Sequence, residues 1–509
     1  MVKTGEETLT NEILSARQRV YAIGNRTPLQ QLDGLEINGQ LWTKREDLSP
    51  IRSYKWRGAY NKLSKLSKTS KSNGVVAASA GNHAQGVALG ASRLKIHSKI
   101  FMPIPTPQLK RDSVKRHGGD FVDVVLAGDT FHEAALEAER CSIKESRTMI
   151  HPFDDLDVIA GQGTIADEII LTGEGPFEVA FLQIGGGGMA AAVSFWLKKF
   201  YPSIKIIGVE GKDQASMSRA IEAGRPIKLD HLDVFCDGTA VRQVGEHSYD
   251  ICSETIDEIV TVSNQEVCAG IQLLWNHGRI IPETAGAMGV AAWLKNKERF
   301  EDKKCLTVIC GANMDFARLA WIVRNAGIGS ATRIYYQFKI LEKPGTLFQV
   351  LEIVRSRANI IEFQYGKNSL SEAFPVMGFD AHPKSLEQIK TDLSLAGIIY
   401  RDVTDCPTVE FKMMPWDPEL MQNPVFIKVE FPERAGALSD FLKQFYSDVN
   451  IGYFSYQYSG ERVGRALIGF EILKDSTKNL VEKWKSKTPE GLRALEVLES
   501  NKINNNSFH

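Results

Sequence analysis

No stretch of this 509-residue sequence stays apolar for the roughly 18 residues that a membrane-crossing helix needs. The opening residues, Met1 to Thr10, are polar and acidic rather than an apolar signal core, so a cytoplasmic address with no membrane partner is expected. The seven cysteines (Cys141, Cys236, Cys252, Cys268, Cys305, Cys310 and Cys406) show no short paired spacing, which argues against a disulfide framework and a zinc site. Most are expected to be small buried hydrophobes. A block of one charge sign is missing too. Net charge is −1, and the most basic series, Lys62, Lys65, Lys68 and Lys71, has the spacing of a solvated helix face, so no nucleic-acid partner is implied.

What is present is the make-up of a soluble globular chain, with a length that suggests about three or four domains. Strand-like runs at Gly74–Ala78, Lys99–Met102, Phe121–Val125, Val179–Ile184, Ile204–Val209 and Cys305–Ile309 alternate with helix-length segments, the pattern of a parallel α/β sheet. Open sheets of this kind bind ligands beyond the C-terminal ends of their strands. Two motif loops, at Ser79–Ala84 and Gly185–Met189, and Cys310 fall at such ends.

The heptapeptide Ser53-Tyr54-Lys55-Trp56-Arg57-Gly58-Ala59 sets one lysine among aromatic rings and a cation. A lysine is a useful amine near neutral pH only when desolvation or a neighbouring cation lowers its pKa, and Tyr54, Trp56 and Arg57 offer both influences. The plain alternative is a solvated lysine at a helix start. Downstream, Gly185-Gly186-Gly187-Gly188-Met189 lies between a strand-like run, Phe177–Ile184, and a helix-like run, Ala190–Phe200. Backbone amides freed of side-chain cover at a helix N-terminus form a phosphate cup. Gly185, Gly187 and Ala190 also fit the dinucleotide fingerprint, and Glu210 ends the next strand where a ribose-binding acid belongs. That reading leaves Lys55 and the loop Ser79-Ala80-Gly81-Asn82-His83-Ala84 without a task, whereas pyridoxal phosphate uses all three elements, with Lys55 as its Schiff-base amine.

These residues resemble the fold type II pyridoxal-phosphate enzymes and, within them, the biosynthetic L-threonine dehydratases. The resemblance runs through Asn25–Leu29, Lys44–Asp47, the lysine motif, Ala77–Gly86, Pro152–Asp155, Ala160–Thr164, the glycine loop and Val308–Asn313. It implies a two-lobed catalytic domain over residues 1–328, with a smaller lobe over about 48–153. It implies that Lys55 holds the cofactor and moves the Cα proton of L-threonine, that Asn82 bonds the phenolic oxygen and that Ser79–Ala84 receives the substrate carboxylate. Gly185–Met189 would hold the phosphate, and His83 would be scaffold. Cys310 takes the place facing the pyridine nitrogen, where many relatives carry serine. A thiol is a weak, neutral partner, so the ring is a modest electron sink suited to β-elimination. Pro282-Glu283-Thr284 lacks the proline that often follows the glutamate, and the role of Glu283 stays open. L-serine is an expected second substrate, since one methyl group discriminates by only about 1 to 3 kcal/mol.

After Ser330 a repeat appears, with a constant offset of 91 residues from Gly345 to Gly436 and from Asn359 to Asn450. The copies resemble ACT-like α+β modules, placed at 329–415 and 416–509. Gly345 and Gly436, at strand-to-helix turns, are the candidate effector-binding residues; the alternative is that they only make the turn and the modules mediate assembly. Resemblance to two-module threonine dehydratases implies isoleucine as inhibitor, valine as activator and a homotetramer. A neighbouring pyridoxal-phosphate activity (serine dehydratase, threonine synthase, racemase) and a non-catalytic amino-acid sensor are the rival functions.

Overall fold

The structure, a computed structural model, describes residues 3–35, 38–341, 346–355, 357–364, 371–406, 409, 424–432, 449–457, 463–472, 482, 484, 492 and 494–498. Gly345 and Gly436 lie outside them, and so does Ser459-Gly460, a dipeptide that suggests a hairpin turn in the second repeat. The chain divides into two compact units, Met1–Asp315 and Phe316–His509.

Ten strands of the first unit form two sheets: β1 (Leu29–Gln31), β2 (Gln40–Arg45), β3 (Val75–Ala78), β4 (Ser98–Met102), β5 (Val122–Leu126), β6 (Thr148–Met149), β7 (Val179–Gln183), β8 (Lys205–Gly211), β9 (Glu258–Val262) and β10 (Lys304–Ile309). The larger sheet has the order β1-β2-β10-β7-β8-β9 and the smaller β5-β4-β3-β6. Every pairing in them is parallel except β1 with β2. Strands β3, β7 and β10 are buried almost throughout, as parallel strands covered by helices must be. The six runs named from sequence are all strands within a residue or two at each end.

The helix that carries the lysine motif, Lys55–Lys65, packs closely on helix Leu156–Leu171. Two glycines permit this approach: a Cβ on Gly161 would come within 2.6 Å of the Gly58 Cα. Beneath the first turn of the lysine helix lies a buried ionic cluster. Arg57 donates to Glu46 at 2.9 Å and to Glu168 at 2.7 Å, and Lys44 Nζ reaches Glu168 Oε2 at 2.5 Å. All four side chains are essentially inaccessible, so two cations and two carboxylates neutralise one another out of water. Burial works against the Glu168 charge, but Arg57 and Lys44 outweigh it and hold the carboxyl well below the usual range.

In the second unit, β11 (Arg333–Leu341), β12 (Asn359–Gln364), β13 (Glu372–Ala373), β14 (Val376–Asp380) and β15 (Ile399–Asp402) make one antiparallel sheet. β16 (Pro424–Pro432), β17 (Val449–Gln457), β18 (Val463–Ile472) and β19 (Ala494–Leu498) make another. The repeat is physical. β16 begins and ends at the residues equivalent to the ends of β11, and the paths β12-β14-β11-β15 and β17-β18-β16-β19 share one topology. Even the irregularities match, because the edge strand shifts register between Ile360 and Glu362 in one copy and between the equivalent Ile451 and Tyr453 in the other.

Candidate active site

Lys55 is the first residue of its helix, and its Nζ donates to the Pro152 carbonyl at 2.9 Å with the Tyr54 ring 5.2 Å away. The side chain keeps some access to solvent, yet protein surrounds the amine. That desolvation brings its pKa down to about 8, against the opposing pull of Cys310 and Glu283. The expectation that Arg57 contributes is corrected: its guanidinium is spent on Glu46 and Glu168. Trp56 is fully buried in a separate cluster with Val20, Ile51 and Leu89.

The loop after β3 turns into helix Asn82–Leu94. Ser79 Oγ accepts from the Gly81 amide at 3.2 Å, Ala80 and Ala84 are buried, and the first-turn amides of the helix have no intrahelical acceptors. Asn82 Nδ2 donates to Glu283 Oε1 at 2.7 Å, while its Oδ1 accepts from Asn313 Nδ2 at 2.8 Å. His83 is inside: its Nε2 pairs with the Ile150 carbonyl at 2.8 Å, and burial together with Lys55 lowers its pKa to about 3. A neutral buried imidazole is what scaffold requires.

The glycine loop follows β7 and enters helix Gly188–Phe200. Gly187 has φ +95°, a conformation that side chains disfavour. A Cβ on Gly186 would sit 2.3 Å from the Phe153 ring, and one on Gly188 would sit 2.5 Å from the Phe153 carbonyl. Phe153 adjoins the carbonyl that holds Lys55, so the segment Ile150–Asp154 draws His83, Lys55 and the loop together. At its end Asp154 accepts from the amides of Glu246 and Ser248 at 2.9 and 3.2 Å, and so fixes the start of helix Glu246–Thr255.

Cys310 follows β10. Its thiol donates to Glu283 Oε1 at 3.9 Å, and burial followed by the Glu283 charge keeps it protonated at neutral pH. Burial, reinforced by Asp237, pushes the Glu283 carboxyl up to about 7, against Lys110 and the hydrogen bonds from Asn82 and Asn313. Asn313 also donates to the Ile51 carbonyl at 2.7 Å, and the Tyr54 amide donates to the Cys310 carbonyl at 3.1 Å, which ties this loop to the lysine motif. The partnership of Glu283 with Asn82 spans 201 positions and has no local sequence signal. Glu210, the rival ribose acid, is buried and accepts from the amides of Met217 and Ser218 at 2.7 and 2.9 Å, so it serves a helix start instead.

An amine of lowered pKa, an amide side chain, a neutral thiol and a helix-start amide loop form a donor set that fits a phosphorylated pyridine aldehyde. Residues 21–311 match the family model described as pyridoxal-phosphate dependent enzyme. Over 470 residues the sequence is 35% identical to the L-threonine dehydratase biosynthetic of Burkholderia multivorans, a match covering 91% of this chain and 92% of the relative. The chain belongs to the biosynthetic threonine dehydratases. As a member of that family it is a pyridoxal-phosphate-dependent lyase. The model for the C-terminal regulatory domain of threonine dehydratase matches residues 324–411 and 420–492, over the two antiparallel sheets. A threonine dehydratase named biosynthetic and chloroplastic, from Solanum lycopersicum, is 37% identical over 93% of this chain and 78% of its own. Among solved structures, the processed form of threonine deaminase isoform 2 from Solanum lycopersicum is 40% identical, with a TM-score of 0.62 over 64% of this chain and 95% of that one. Among the described residues no helix is long and apolar enough to cross a membrane, and no cluster could hold a metal ion.

Proposed function

We propose that this protein converts L-threonine to 2-oxobutanoate and ammonia as the committed step of isoleucine biosynthesis, accepts L-serine as a second substrate, is inhibited by isoleucine and is activated by valine. The observation that carries the catalytic half is the convergence of Lys55, Asn82, Cys310 and the glycine loop on one segment and one carboxylate. Pyridoxal phosphate, when bound, supplies the electron-withdrawing ring that acidifies the Cα–H of an amino acid. Lys55 is assigned its attachment and then the Cα proton, a task for which an amine of pKa about 8 is matched near neutral pH. Asn82, oriented by Glu283 and Asn313, is assigned the phenolic oxygen, and the Ser79–Ala84 turn the substrate carboxylate. Residues Gly185 to Met189 are assigned the phosphate, and Cys310 the ring nitrogen. A protonated thiol there offers only a weak hydrogen bond, which favours prompt loss of the β-hydroxyl over a long-lived carbanion.

The regulatory half rests on the duplicated module, for which we keep the boundaries 329–415 and 416–509, with Gly345 and Gly436 as effector residues and a homotetramer as the assembly. The test is 2-oxo acid release from L-threonine and L-serine, with and without isoleucine or valine. Turnover suppressed by isoleucine and restored by valine is the expected result. A cofactor-loaded protein that turns over neither substrate overturns the assignment, and turnover indifferent to isoleucine overturns its regulatory half.

A further inference from the structure

One ion pair near Glu283 has no part in the chemistry just assigned. Lys110 lies in the first turn of helix Gln108–Gly118, whose Val114 packs into the core of the smaller sheet. Its Nζ stands 2.6 Å from Oδ2 of Asp237, in the turn Phe235–Thr239 that lies between β8 and β9 of the larger sheet. The pair therefore joins one lobe to the other, and at 17% and 23% side-chain exposure both groups are largely withdrawn from water.

The turn that Lys110 grips touches both ends of the site. Phe235 accepts at its carbonyl from Thr284 Oγ1 at 3.1 Å, and Thr239 Oγ1 donates to Gln214 Oε1 at 2.9 Å, so both flanks are pinned. Between them, a Cβ on Gly238 would come within 3.4 Å of Glu283 Oε1, the oxygen that holds Asn82 and faces Cys310. On the far side, a Cβ on Gly185 would come within 2.9 Å of the Thr239 Cα. A displacement of Asp237 is thus felt at Glu283 and at the first residue of the glycine loop.

We infer that Lys110 and Asp237 are positioning residues, an interlobe latch that seats the Phe235–Thr239 turn against Glu283 and Gly185 and so aligns Asn82 and the glycine loop for elimination. The inference rests on the threonine chemistry proposed above. The latch also has an electrostatic signature. Glu283 is faced by Asp237, which raises its pKa, and by Lys110, which lowers it. Asn82, Asn313, the Cys310 thiol, the Lys55 amine and the Tyr54 phenol also face it. Loss of the Asp237 charge should therefore shift Glu283 downward, and loss of the Lys110 charge should shift it upward.

The experiment uses the full-length holoenzyme in three forms, Lys110→Met, Asp237→Asn and the charge-exchanged Lys110→Asp/Asp237→Lys. Each single variant should lower kcat/KM for L-threonine by about fivefold or more, and the exchanged pair should recover most of the loss. Titration of Glu283 should place an inflection of kcat/KM near pH 7, which should move to lower pH in Asp237→Asn and to higher pH in Lys110→Met. A purely structural role would move both profiles the same way or neither. Single variants indistinguishable from the parent, or shifts of one sign with no recovery in the exchanged pair, overturn the latch. Absence of turnover in the parent holoenzyme overturns the threonine reading instead, so the two failures are distinct.

Discussion

Lys55 is held between opposing influences: burial favours the neutral amine, while Glu283 and Cys310 favour the ammonium. Burial wins. In the cofactor-free protein, amine-directed acylation at Lys55 should therefore rise through an inflection near pH 8, and an inflection at the ordinary lysine value would show that the site is wetter than this. Lys55→Ala should cut turnover by on the order of a thousandfold or more with an unchanged circular dichroism spectrum, since no other side chain assigned to the site presents an amine. Glu168 makes a different prediction. Its carboxyl is held low by Arg57 and Lys44, so the stability it contributes is present above the usual carboxylate range and lost as pH falls below about 4. Glu168→Gln should cost about 3 to 5 kcal/mol in urea unfolding at neutral pH, because it leaves two buried cations, Arg57 and Lys44, to share the single carboxylate of Glu46. A change under 1 kcal/mol, roughly that of a surface pair, would mean that water reaches the cluster.

Among the elements, the glycine loop and the lysine helix are where local sequence and tertiary structure agree most closely. Gly186 has no room for a methyl group against Phe153, and relieving such overpacking costs about 1 to 3 kcal/mol. Gly186→Ala should accordingly weaken cofactor retention by about tenfold or more, read as loss of the bound cofactor's absorbance on dialysis. Full retention would mean that the ring of Phe153 moves aside at no cost. The positions of Lys55, the Asn82 turn, the glycine loop and Cys310 were legible in the sequence because each depends on its own neighbours: a strand end, a helix start, a run of glycines. Arg57 was misread for the same reason. Its adjacency to Lys55 along the chain suggested a shared field, but the helix turns its guanidinium the other way, onto carboxylates that arrive from positions 46 and 168. Glu283 and the pair Lys110–Asp237 act across distant segments, and no periodicity or motif announces such contacts. In the second unit the offset of 91 residues foretold equal strands and equal topology, while the matching bulges at Ile360 and Ile451 emerge only from hydrogen-bond register.

For the molecule as a whole, the division near Asp315 allows catalysis and regulation to be separated. A chain ending near residue 330 should keep threonine turnover within about tenfold of the parent and lose its response to isoleucine. Inhibition that survives in an active truncated enzyme would move the effector site into the catalytic unit. The larger sheet carries one further consequence, for the order in which the protein is made. β2 lies between β1 and β10, so the strand at residues 40–45 has its parallel neighbour at residues 304–309, about three-fifths of the way along the chain. Until β10 emerges, one edge of β2 is an open row of peptide groups, and slow non-local pairing leaves such edges prone to aggregation. The nascent enzyme is thus most dependent on chaperones between the emergence of its first strands and that of β10, and a ribosome stalled in that interval presents a chain that cannot yet close its own sheet.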